Sequence, residues 1–103
     1  MKHLVHIQFS PQAGEALGSR PGGPVPVVGR LIERFKPEAV YTSPARQAIF
    51  LVSELSPPDM AELMLAACQL AGQHPDFIPV VDGKEFGAIA AQALPRAKAL
   101  IDG

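Results

Sequence analysis

The chain has 103 residues, 48% of them apolar and 18% charged, with a formal net charge of −1. That length suits one domain, and the composition excludes a disordered polymer. The charge balance excludes a polyanion groove, since Glu33 and Glu38 interrupt the nearest thing to a basic cluster, Arg30, Arg34 and Lys36.

Five Phe, one Tyr and no Trp leave no stacking platform for single-stranded nucleic acid. The single cysteine, Cys68, rules out an intrachain disulfide and a thiolate metal site. His6 and Gln8 interrupt the first apolar run, unlike a secretory leader. No window approaches the roughly 20 apolar residues of a membrane span. The expectation is a soluble cytoplasmic protein, one domain over residues 1–103, with no metal, no cofactor, and neither nucleic acid nor membrane as partner.

Leu4 to Phe9 reads as the first strand and the centre of a sheet. Val5, Ile7 and Phe9 share one face, and Leu4, His6 and Gln8 share the other. Ser10-Pro11 predicts a turn of helix, and the Pro/Gly-rich stretch Ser19 to Pro26 predicts a loop. Val27 to Lys36 follows as a helix, with Val28, Leu31, Ile32 and Phe35 on one face and Pro37 as its stop.

Ala39 to Ser43 and Ala48 to Leu55 read as an antiparallel hairpin around Pro44-Ala45-Arg46-Gln47. Ser56-Pro57-Pro58-Asp59 has the features of a capped helix start. Met60, Leu63, Met64, Ala67, Leu70 and Ala71 continue at helical spacing, and Gly72 predicts a left-handed cap. Phe77 to Val81 reads as a strand that Pro79 confines to a sheet edge. Phe86 to Ile101 predicts a last helix, with Ile89, Ala93, Leu94, Ala97, Leu100 and Ile101 inward and a kink or break at Pro95.

The order is βαββαβ with an extra C-terminal helix. It predicts an α+β, ferredoxin-like domain with both main helices on one face of a four-stranded antiparallel sheet. Whichever face is outward, the last two strands leave apolar residues on it, and Leu4 joins them. Such a patch calls for a cover. A second copy facing it would give a two-fold homodimer; the terminal helix folding across it would cap it within the monomer. The dimer is the favoured reading.

Three stretches carry a resemblance: "HLVHIQFSP", "AIFLVSELSPPDMAEL" and "FIPVVDGKEFG". Through them the chain resembles the dimeric α/β-barrel superfamily, in particular a family of short bacterial proteins of unknown function within it. The resemblance implies the fold and dimerisation, and no catalytic residue. That superfamily includes muconolactone isomerase-like enzymes, cofactor-free monooxygenases and stress-response proteins. The loop Ser19 to Pro26 departs from its usual pattern.

His6 is the leading candidate for chemistry, as a general base in a space between sheet and partner. The plainer reading is an interface histidine hydrogen-bonded beside Gln8. Tyr41 could donate to a ligand oxygen and Arg46 could pair with a carboxylate; the plainer reading makes them an interface tyrosine and a solvated turn arginine. His3 and His6 point to opposite faces and His74 sits in a loop, so no metal site forms from them. Cys68 reads as a buried structural thiol. The residues thus predict a homodimer that binds a small apolar molecule at His6, Gln8, Tyr41 and Arg46, or serves assembly alone. The alternative is a cofactor-independent isomerase or monooxygenase acting on a small aromatic or lactone substrate, with His6 as base.

Overall fold

The computed structural model covers Met1–Gly103 and is α+β. Strand β1 spans Lys2–Gln8, and its residues alternate between buried and half-buried, as a strand with one covered face must. It is central. β3 (Ala48–Glu54) pairs with it antiparallel on one side, setting Val5 opposite Leu51 and His6 opposite Phe50. On the other side β4 (Asp76–Pro79) pairs antiparallel, with Phe77 opposite Val5. β2 (Ala39–Ser43) completes the sheet against β3, in the order β2-β3-β1-β4. Pro79 thus lies on an edge strand, where its missing amide N–H costs no ladder bond.

Two connections cross the covered face. After β1, α1 (Pro11–Gly18) starts at Ser10, whose Oγ accepts from the Ala13 amide at 3.1 Å. It is longer than the single turn expected. A turn over Ser19–Pro24, with Gly22 and Gly23 at positive φ, leads into α2 (Val25–Phe35). α2 begins before the predicted Val27, because Pro26 in its first turn has no N–H that the helix needs. Lys36 ends it in the left-handed conformation, φ 45°.

After β3 comes α3 (Pro57–Ala71). Ser56 Oγ accepts from the Asp59 amide at 3.3 Å, and the Asp59 carboxylate accepts from the Ser56 amide at 3.1 Å. Arg34 of α2 reaches Glu62 at 2.7 Å and Asp59 at 3.3 Å, tying the two helices together. Gly72 caps α3 at φ 78°.

The core lies between these helices and the sheet. Val5, Ile7, Leu51, Leu55 and Leu63 are its largest fully buried side chains. Burying each stabilises the fold by roughly 1.5–3 kcal/mol relative to leaving it exposed.

The last helix departs from expectation. α4 (Gly83–Asp102) is capped by the Asp82 carboxylate, and not one of its residues is buried. Ile89, Ala93, Leu94, Ala97, Leu100 and Ile101 were expected inward; they are exposed because the helix leaves the domain instead of returning to it. It does not lie across the sheet. Pro95 does not split it, since a solvated helix can hand the carbonyl that Pro95 leaves unpaired to water. The molecule is therefore elongated, 58 × 28 × 23 Å, with a radius of gyration of 17.2 Å against about 13 Å for a compact chain of this size. No helix is long and apolar enough to cross a membrane.

Candidate functional site

The uncovered sheet face is organised in rows set by the strand register. One row runs Ala39, Val52, Leu4, Ile78 and is apolar throughout. The next runs Tyr41, Phe50, His6, Asp76. Beyond it, toward the β2–β3 turn, lie Ser43, Ala48 and Gln8. The alternation of β1 places Leu4, His6 and Gln8 outward together, as predicted, while His3 turns into the covered face, edge-on to Phe77.

His6 is held on three sides. Its ring stacks on Phe50 at 4.6 Å between centroids. Its Nε2 lies 3.2 Å from Gln8 Oε1, and its Nδ1 lies 3.6 Å from Asp76 Oδ2. Gln8 in turn directs its amide nitrogen to the backbone carbonyls of Phe9, Arg46 and Gln47. Three acceptors on that side fix the amide orientation, so Gln8 presents an acceptor to the imidazole. His6 Nε2 must therefore carry the proton and donate. The other ring nitrogen, Nδ1, faces the Asp76 carboxylate.

Of the four predicted residues, His6, Gln8 and Tyr41 share the outer face, and Arg46 lies in the hairpin turn beside Gln8. Gln8 joins His6 to the hairpin turn through the Arg46 carbonyl, and Tyr41 flanks Phe50 at the sheet edge, largely exposed. Asp76 was missed. β4 starts one residue before the expected Phe77, and that residue brings the carboxylate opposite His6. The signal available was positional only: Asp76 has the same parity as Ile78 on an edge strand.

No three His, Cys, Asp or Glu side chains converge to hold a metal. Cys68 is half-buried rather than fully buried, with its Sγ 3.3 Å from His74 Nδ1. The loop after Gly72 brings that histidine back along α3, a proximity that helical spacing alone does not reveal.

Neither protein-family models, curated proteins nor solved structures give a match to this chain.

Proposed function

We propose that this chain is a self-associating binding protein, in the manner of the dimeric α/β-barrel proteins. Two copies meet through their uncovered sheet faces, and the space between them, bordered by His6, Gln8, Tyr41 and Arg46, holds a small apolar molecule or closes on assembly alone. The row Ala39, Val52, Leu4, Ile78 carries this reading, because α4 leaves it uncovered. An apolar sheet face of this kind is a surface that a monomer rarely tolerates. The strand order β2-β3-β1-β4, with helices in both crossovers, supports a ferredoxin-like reading of the α+β fold.

The enzyme alternative, an isomerase or monooxygenase with His6 as base, is weakened by the ring's surroundings. Its Nε2 is engaged by Gln8 and its Nδ1 faces Asp76, so neither ring nitrogen faces open space. A cytoplasmic setting is in keeping with a lone cysteine.

Native mass spectrometry of the full chain tests the assembly. The expected mass is that of two chains, shifted to one by Phe50→Lys, which puts a charge in the centre of the face. A single-chain mass for the unaltered protein at micromolar concentration overturns the dimer.

A further inference from the structure

On the opposite side of the sheet, the helices do not close fully over the β2–β3 hairpin. A cleft of about 590 Å³ opens between α1, α2 and that hairpin. Its walls are Phe9, Leu17, Val25, Val28, Ile32 and Ile49. Gly18 and Gly29 line it, and a Cβ on either would meet nothing within 4 Å, so the space beside both is open. Gly14 leaves room for the Gln47 side chain, which a Cβ there would strike. The turn Ser19–Pro24 joins the two helices at one end of the cleft, with Pro24 on its lining.

The volume lies within the range of small-molecule sites, about 300–1,000 Å³, and such sites are mostly apolar with a few placed polar groups. The lining fits that description and adds a constraint. None of its 15 residues carries a charge. Its polar side chains are Thr42 and Gln47, both at the hairpin end; Ser43 borders it but belongs to the outer row, its Oγ accepting from the Arg46 amide. A hydroxyl or carbonyl could be met there by the Thr42 hydroxyl and the Gln47 amide. A carboxylate or phosphate would lose its hydration with no cation to replace it.

We infer that this cleft is a binding site for a neutral, largely apolar small molecule carrying a hydroxyl or carbonyl at one end. The site is separate from the uncovered sheet face and needs no second copy. It gives the Pro/Gly-rich turn a role, which is to space α1 from α2 at the cleft's end.

The test compares decanol with decanoate, which share a chain length and differ in charge at neutral pH. Each is titrated into the full-length protein and followed by amide chemical shifts. Decanol should move Leu17, Val28, Ile32 and Thr42, and decanoate should bind at least about tenfold more weakly. Ile32→Trp should fill the cleft and weaken decanol by about tenfold or more. Ile32 is 46% exposed, so the indole can be accommodated without disturbing the core. Phe50→Ser, on the far side of the sheet, should leave decanol binding unchanged. Shifts confined to the outer face or α4, equal binding of decanoate, or wild-type affinity in a folded Ile32→Trp protein would each overturn the inference.

Discussion

At the scale of single residues, the backbone exception at Lys36 has a measurable cost. An L-residue in the left-handed region loses roughly 1–2 kcal/mol relative to glycine, part of which glycine returns through its freer unfolded chain. Lys36 is exposed and contributes no core contact. Lys36→Gly should therefore raise stability by about 1 kcal/mol, read as a higher urea midpoint at unchanged slope. Asp59 supplies a pH signature. Hydrogen bonds from Ser56, with Arg34 alongside, hold its carboxyl below the ordinary 3.8. Its folded value is the lower one, so its contribution is complete above the unfolded value, about 3.9, and fades as pH falls through the folded value. Asp59→Asn should be less stable than the parent at neutral pH, and the gap should close in acid. A gap of constant size across an acid titration would contradict this.

At the scale of elements, local chemistry accounts for what the sequence made legible. Ser56 and Asp59 sit at capping-box spacing, and the box forms. Ser56→Ala should lower the thermal midpoint by the equivalent of about 1 kcal/mol. The parity of Val5 and Ile7 likewise separated the two faces of β1, because a period of two survives any small error in strand ends; on β3 it left open whether Leu51 or Phe50 faces the core, which the register with β1 decides. Gly72 caps α3 as its position predicts, whereas two prolines were less reliable guides. The loop expected over Ser19 to Pro26 ends early, since Pro26 lies in the first turn of α2, and of the kink or break expected at Pro95 the break does not occur. Proline restricts its own amide, and its effect depends on whether that amide had a partner to lose. Nor could α4's amphipathic pattern say where its apolar stripe would go. Periodicity reports that a face exists, and the partner is decided by geometry outside the segment. At the site, His6 and Gln8 were legible by strand parity, and Tyr41 by its place in the hairpin. Asp76 was not, because its place beside His6 follows from the β1–β4 register.

At the scale of the whole molecule, α4 is the element whose stability depends on company. It has 20 residues and carries Phe86, Ile89, Leu94, Leu100 and Ile101 exposed. An isolated helix little longer than the marginal length, about 12–15 residues, and containing a proline is weakly formed in water. Its amides should exchange rapidly in dilute solution, while those of Val5 and Leu51 stay protected. Protection in α4 that rises with protein concentration would show that a second chain engages it. Protection equal to the core at every concentration would contradict the extended arrangement.

The central position of β1 also sets an order of events. It leaves the ribosome before the other strands of its sheet, yet its neighbours are residues 48–54 and 76–79. Pairings so distant in sequence close slowly. During synthesis a strand with one apolar face therefore waits with both hydrogen-bonding edges open, which is the condition under which strands join the wrong neighbour. His6 and Gln8, polar interruptions on its outer face, shorten the apolar run exposed during that wait.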